Sequence, residues 1–442
     1  MHPYLLNLIY ATLLIILSPW LLLQAVSKNK YRRGWGEKLF GCNLSKFDRR
    51  PCVWFHAVSV GEVNLLQPIL QRLQAQHPTA RVVISATTRS GYELAKLKYA
   101  DLDVFYAPLD FSWAVKNTLN RLRPELLVLA ELEIWPNLIR ECRMRSIKVA
   151  VVNGRLSEHS QRGYRRVKSL LAPVFASLDF VGAQNQEYAD RFLDLGVREQ
   201  SLRITGSVKF DGAIADRNND RTNKLARLAG IRPTDIVFLA GSTQEPEEEY
   251  ALETFQELQF GYPHLKLLIV PRHPERFDAV ARLLNESGVK WQRRSLLTKQ
   301  GTSTVDASGI RVLLIDTIGE LGAWWGTADI AFVGGSFGSR GGQNMIEPAA
   351  YGTAVCFGPN TQNFRDVVSQ LLLAKAAEVV IDRSEMLAFV RRCLSDAEFA
   401  ATLGDRARQL VLNHQGAADQ TVAELLGLLG WVPATSVSEK VA

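Results

Sequence analysis

Short runs of aliphatic and β-branched residues recur along residues 51–432, each followed by a polar or glycine-containing stretch and then by a longer amphipathic segment. Continuous short apolar runs predict strands buried on both faces, and amphipathic segments between them predict crossover helices. In the first half the predicted strands are Val53–Ala57, Arg81–Ala86, Val104–Tyr106, Leu126–Leu129, Val149–Val152 and Phe180–Gly182. The polar stretch Asp211–Thr234 lacks buried-strand character and reads as a connection. The alternation then resumes with Ile236–Ala240, Lys266–Val270, Val312–Ile315, Ile330–Val333 and Ala354–Phe357. The fold class that follows is α/β, with two Rossmann-like domains at 51–210 and 235–432, a linker at 211–234 and a tail at 433–442. The segment Gln415–Leu429 is apolar enough to pack on a domain as a helix.

One segment departs from the alternation. Residues 3–26 carry no charged side chain, and about 20 apolar residues suffice to cross a hydrocarbon core. Residues 1–27 are therefore predicted to be a transmembrane anchor helix. No small-residue cleavage site follows, which sets the segment apart from an export signal. The juxtamembrane stretch 28–50 holds Lys28, Lys30, Arg32, Arg33 and Lys38, and cations beside a span stay on its cytoplasmic side. The expected arrangement is a single N-terminal pass with both domains cytoplasmic.

Charge and composition narrow the partners. A formal net charge of +7 suits contact with anionic headgroups or an anionic lipid. No basic stripe interleaved with aromatics occurs, so no nucleic-acid partner is expected. Cys42, Cys52, Cys142, Cys356 and Cys393 are scattered and lack CxxC spacing, which points away from a disulfide framework or a zinc site. The histidines are dispersed and no DxD or HxxxH spacing stands where a metal bridges a diphosphate, so neither metal nor other cofactor is expected.

Ligands of open α/β sheets bind beyond the carboxyl ends of the strands, so residues directly after predicted strands carry the candidate chemistry. Five segments stand out. HAVSVGEV, 56–63, places Ser59 and Glu62 at a helix start. A carboxylate there serves as a general base if burial raises its pKa, but the helix dipole alone also favours an acidic residue in a first turn. LVLAELEIWPN delivers Glu131 and Glu133, which point the same way if the chain is extended, or else pair with a surface cation. IVPRHPERF presents Pro271 and Arg272, whose guanidinium is suited to phosphate or carboxylate and is otherwise simply solvated. DTIGELGAWW sets Gly319, Glu320 and Leu321 at a helix start whose free N–H groups hold an anion. FVGGSFGSRGGQNMIEPAAYG is glycine-rich and carries Asn344, Met345, Ile346 and Glu347. Its glycines allow close backbone approach to a phosphate, and Glu347 is an acceptor suited to ribose hydroxyls.

With NGRLS (153–157), GSVKFD (206–211) and FGPNTQNFRD (357–366), these segments stand in one order along nearly the whole chain. That ordered set resembles the Kdo transferases, the glycosyltransferase family that attaches 3-deoxy-D-manno-octulosonic acid (Kdo) to lipid A precursors. The resemblance implies two Rossmann-like domains facing across a cleft, the glycosyltransferase B type. It implies an inverting transfer from CMP-Kdo to a tetraacylated lipid A precursor at the bacterial inner membrane. Glu62 is then the base that deprotonates the acceptor hydroxyl. Pro271, Arg272, Gly319, Glu320, Leu321 and Asn344 through Glu347 contact the CMP portion of the donor. Ser59, Lys209, Glu131 and Glu133 also match family positions, with less defined roles, and the polar segment Arg293–Ser308 is assigned none. Two other readings remain open: a nucleotide-sugar epimerase of the same two-domain fold, which needs no anchor, and a membrane-tethered nucleotide-binding scaffold.

Overall fold

A computed structural model of the chain describes residues 3–27, 34–44, 50–297 and 309–432. The chain forms two units, 1–212 with 415–442 and 213–414. Lys28, Lys30, Arg32, Arg33, most of the segment 293–308 and the tail 433–442 lie outside the described residues.

The first unit holds a parallel sheet of seven strands in the order β3-β2-β1-β4-β5-β6-β7. The strands are β1 Cys52–Ala57, β2 Arg81–Ala86, β3 Asp103–Tyr106, β4 Leu126–Ala130, β5 Lys148–Gly154, β6 Phe180–Ala183 and β7 Leu202–Ile204. Side chains of β1 alternate across the sheet, as the two-residue repeat of a strand requires. Val53, Phe55 and Ala57 join one core with Leu66, Ile69 and Leu73 of the helix Val60–Gln76. Trp54 joins the core on the other face with Leu127, Leu129, Val149 and Val151. Burial on both faces explains why these strands read as unbroken apolar runs.

The second unit repeats the plan, with parallel order β10-β11-β9-β8-β12-β13-β14. Here β8 is Ile236–Thr243, β9 Leu265–Pro271, β10 Trp291–Arg293, β11 Val312–Leu314, β12 Ile330–Val333, β13 Ala354–Phe357 and β14 Glu378–Val379. Every strand anticipated from the sequence is present, with ends within two residues of those expected except for β8, which runs three residues further, to Thr243. The three that were not anticipated are β7, β10 and β14. Each is an outer strand of two or three residues, too short for a periodicity to show.

Two features differ from the sequence reading. The stretch 211–234 is not a free linker. Arg217 donates to the carbonyls of Tyr351 and Ala328 at 2.8 and 2.7 Å, and the helix Asp220–Leu228 is tied by Thr222 to the Ala323 carbonyl. From Ala213 onward it belongs to the second unit. The C-terminal helix Ala417–Leu429 belongs instead to the first unit, where Ala418, Val422, Leu425 and Leu426 complete the core over β5 and β6. Asp211 fixes its start by accepting from the Gly416 and Ala418 amides at 2.6 and 2.9 Å. An Asp at a helix N-terminus satisfies donors that have no intrahelical partner.

The N-terminal helix, Pro3–Ser27, also departs from expectation. Among the described residues no helix is long and apolar enough to cross a membrane, so the structure does not support the spanning anchor. Its first turns dock on the first unit through polar contacts. Asn7 Nδ2 donates to Ser112 Oγ at 2.8 Å, and its Oδ1 accepts from the Ser112 amide at 3.0 Å. The Tyr10 hydroxyl donates to Asp110 Oδ2 at 3.0 Å. Asp110 in turn accepts from the Asn137 and Leu138 amides, which start the helix Pro136–Met144.

Candidate active site

In the first sheet the strand order reverses between β1 and β4, neighbours paired from Val53 and Leu126 onward. Ligand sites of doubly wound sheets lie at such a switch, beyond the strand carboxyl ends. The segment after β1 carries Ser59 and Glu62, and the segment after β4 carries Glu131 and Glu133. The three carboxylates are therefore gathered by topology, although 69 residues of chain separate the first from the second.

Ser59 is the N-cap of the helix Val60–Gln76, its Oγ accepting from the Glu62 amide. Glu62 reaches back: Oε1 accepts from the Ser59 hydroxyl at 2.8 Å and Oε2 from the Val58 amide at 2.7 Å. This is a capping-box pairing of Ser and Glu three residues apart. The structural reading of Glu62 is thus realised, and it also serves orientation, because both oxygens are held while each keeps a second lone pair. Burial raises the Glu62 pKa above the ordinary carboxylate range, against the pull of the Val58 and Ser59 contacts, and the Glu131 charge raises it further.

β4 ends at Ala130, and Glu131 takes a left-handed backbone with φ of 57°. The two-residue alternation of an extended chain therefore does not govern Glu131 and Glu133, contrary to the sequence expectation. Glu133 is reached by a loop and accepts from Trp135 Nε1 at 3.1 Å. Burial, with the neighbouring Glu62 charge second, pushes its carboxyl up to about 7. Like charges sharing a half-buried site disfavour joint ionisation, which adds to the effect of burial on Glu62 and Glu133. Lys209 lies half-buried in a turn after β7 whose Val208 amide donates to Asn153 Oδ1 at 3.1 Å. Asn153, in the NGRLS segment, is itself left-handed at φ 54°.

In the second sheet the order reverses between β8 and β12. The strands β11, β9, β8 and β12 are consecutive neighbours, so the segments at 315–321, 271–272, 244–247 and 334–347 emerge along one edge. Arg272 is exposed directly after β9, with its amide donating to the Thr243 carbonyl at 3.0 Å, and Pro271 is buried. Asn344 Nδ2 donates to Glu347 Oε1 at 2.9 Å, and Asn344 Oδ1 accepts from the Ile346 amide. The helix they open, Ile346–Ala350, is a single short turn. A Cβ placed on Gly322 would lie 3.6 Å from Glu347 Oε2, so the 319–322 and 344–347 segments adjoin. Burial raises the Glu347 pKa, partly offset by Asn344.

Two expectations for this unit need correction. The helix expected after Gly319 is only Leu321–Trp324, too short for a developed dipole. The Glu320 carboxylate is engaged internally by Arg294 at 2.7 and 3.0 Å and by Thr317 at 2.7 Å. The glycine-rich turn does not offer its first amides to a phosphate either. Glu247, which the sequence did not single out, accepts from the amides of Gly335, Ser336 and Phe337 at 2.7, 2.8 and 3.1 Å. Gly334 is required there because a Cβ would stand 2.7 Å from Glu247 Oε2 and the Ser242 carbonyl. Glu248 beside it pairs with Arg276 at 3.0 Å, clamping the PRHPER loop to the end of β8. The signal that finds these residues is an acidic run directly after a buried strand, GSTQEPEEE.

Two parallel α/β units, with a carboxylate cluster at one switch point and a braced glycine-rich loop at the other, define a two-domain protein of the doubly wound α/β class. The UDP-GlcNAc 2-epimerase from Neisseria meningitidis bound to UDP-GlcNAc superposes with a TM-score of 0.57 at 13% identity, over 85% of this chain and all of that one; this likeness shows the fold. Residues 32–212 match the family described as 3-deoxy-D-manno-octulosonic-acid transferase (Kdo transferase). The 3-deoxy-D-manno-octulosonic acid transferase of Haemophilus influenzae is 31% identical over 424 residues, covering 94% of this chain and 97% of that protein. Its counterpart from Bordetella pertussis is 34% identical over 86% of this chain and 87% of its own length. The chain belongs to the 3-deoxy-D-manno-octulosonic acid transferase family and is a glycosyltransferase.

Proposed function

We propose that the enzyme transfers Kdo from CMP-Kdo to a hydroxyl of a tetraacylated lipid A precursor with inversion at the anomeric carbon, and that Glu62 is the base. The observation that carries this reading is the oriented, raised-pKa Glu62 carboxylate at the β1/β4 switch. Glu62 takes the proton of the acceptor hydroxyl as that oxygen bonds to the anomeric carbon. The bond from that carbon to the CMP phosphate oxygen breaks, and CMP leaves with the electron pair. Burial, with the Glu131 charge adding to it, raises the basicity of Glu62, which suits a general base. Arg272 meets the departing phosphate, Glu347 with Asn344 takes the ribose hydroxyls, and Gly319–Leu321 with the backbone of Met345 and Ile346, whose side chains are buried, complete the CMP site. Preorganised donors of this kind supply a large share of rate enhancement.

Because the acceptor is a lipid, the reaction takes place at the cytoplasmic face of the inner membrane. The N-terminal helix supports this with exposed Leu5, Leu8, Ile9, Leu13 and Ile16. The epimerase reading shares the fold but not the family, and it leaves this apolar flank without a purpose. Incubation with CMP-Kdo and tetraacylated precursor, followed by mass spectrometry of the lipid, is expected to show the mass gain of added Kdo. Glu62→Gln keeps size and much of the hydrogen bonding, so it is expected to fold while turnover drops by about 10²- to 10⁴-fold. Near-normal turnover in that variant removes Glu62 from the mechanism.

A further inference from the structure

An apolar groove of about 590 Å³ runs along the first unit between the helices Pro136–Met144 and Lys168–Phe175. Ile139, Met144, Leu170, Leu171 and Val174 line it, and Leu6 of the N-terminal helix joins them. Its charged lining residues are Arg140 and Arg143, both cationic. Met144 and Leu170 are 65% and 52% exposed, large apolar side chains held open to solvent beside a cavity. Exposed apolar surface of this extent, rimmed by charge, marks a binding surface.

The place of the groove relates it to the chemistry. Pro136, which lines it, is the third residue after Glu133 in the carboxylate cluster. The helix it begins leads away from that cluster for 9 residues, about 13 Å at 1.5 Å per residue. The Leu6 side of the groove is also built rather than incidental. Asn7 and Asn137 are buried, and Asn137 Nδ2 donates to Asn7 Oδ1 at 3.3 Å and to the Asp110 carbonyl at 2.6 Å. These contacts hold the N-terminal helix against the start of helix 136–144, and so keep Leu6 in the lining. Beyond Leu6, exposed Leu5, Leu8 and Ile9 continue the apolar surface along the helix.

We propose that the groove holds an acyl chain of the lipid acceptor, with Arg140 and Arg143 meeting an anionic group of the same molecule. This rests on the transfer reading above and adds how the acceptor is held. An anionic amphiphile fits an apolar trough with two cations at its rim, and a chain lying there leaves the polar end of the molecule beside Glu133 and Glu62.

The test uses the full chain in detergent, with CMP-Kdo and either the tetraacylated precursor or its fully deacylated form. The reading is the ratio of kcat/KM for the two acceptors in wild type, Val174→Trp, Met144→Trp and Leu170→Trp. The last two change exposed positions, so they keep the test valid if Val174→Trp does not fold. Each methylene shut out of an apolar site costs about fourfold in affinity, so the ratio is expected to fall at least tenfold, through KM for the acylated acceptor. An unchanged ratio in all the folded variants overturns the proposal. So does loss of binding to phospholipid vesicles with the ratio intact, which makes the groove a general membrane contact. In a second arm without donor, the precursor carrying a pyrene-labelled acyl chain is titrated into each protein. Weakened binding in the variants upholds the groove even if wild type transfers nothing, in which case only the transfer reading fails. Binding equal to wild type overturns the groove.

Discussion

The carboxylates at the first switch point illustrate how a side chain acquires two functions. Glu62 caps a helix, and the contacts that make the cap also orient its oxygens and resist the rise in its pKa that burial imposes. The capping half was legible from S-x-x-E alone. The raised basicity was not, since it depends first on burial and then on Glu131, brought near by strand pairing rather than by spacing. A base must be ionised to act, so the rate falls as pH drops through its pKa. The acidic limb of kcat/KM is expected above the ordinary Glu value of about 4.3. Glu131→Gln removes a negative neighbour and is expected to move that limb to lower pH; a limb that stays in place argues against the coupling. In the second unit, Arg272→Ala and Glu347→Ala are expected to weaken CMP binding by about 2 kcal/mol or more, measured by calorimetry. Unchanged affinity in both places the nucleotide elsewhere. The acidic run after β8 marks Glu247 as a candidate, but its role was not legible because the amides it binds lie 88 to 90 residues away.

At the level of elements, the long buried strands announced themselves, whereas the ends of the helices kept their meaning hidden. Apolarity made the N-terminal helix read as a span, yet the same residues include Asn7 and Tyr10, whose partners Ser112, Asn137 and Asp110 lie a hundred or more positions downstream. Asp110 ties three elements together, and burial pushes its carboxyl up to about 7. A folded-state pKa above the unfolded value near 3.9 means the native state binds the proton more tightly. Stability from this group is therefore full below about pH 4 and declines as pH rises toward 7, at a slope of up to about 1.4 kcal/mol per pH unit. Asp110→Ala leaves the Asn137 and Leu138 amides and the Tyr10 hydroxyl without their acceptor. It is expected to cost on the order of 3 kcal/mol, read by denaturant unfolding, and to abolish that pH dependence. Removal of residues 3–24 is expected to lower stability as well as membrane binding, because the helix also covers part of the body. A truncated protein as stable as the full chain would show that Asn7 and Tyr10 contribute nothing.

For the whole molecule, the alternation of strand and helix made two α/β units legible, and it misassigned the chain's last helix because apolar stripes do not say which sheet they cover. That helix completes the core over β5 and β6 and is pinned by Asp211, two residues before the second unit begins. The second unit is therefore an insertion, entered at 213 and left at 414. A short flexible linker joining Gly212 to Gln415 is expected to give a first unit that melts in one cooperative step, and residues 213–414 are expected to fold alone, both checked by circular dichroism. Failure of the excised segment to fold would show that the units are not autonomous. During synthesis the order of completion is then the reverse of the order of translation. The ribosome delivers the sheet with the carboxylate cluster first, but one face of it stays open until the last helix emerges, by which time the inserted unit has already closed. Between those moments the growing chain exposes Ala150, Val152 and Phe180 to solvent, and nascent-chain proteolysis is expected to find that face protected only after residue 429 has cleared the exit tunnel.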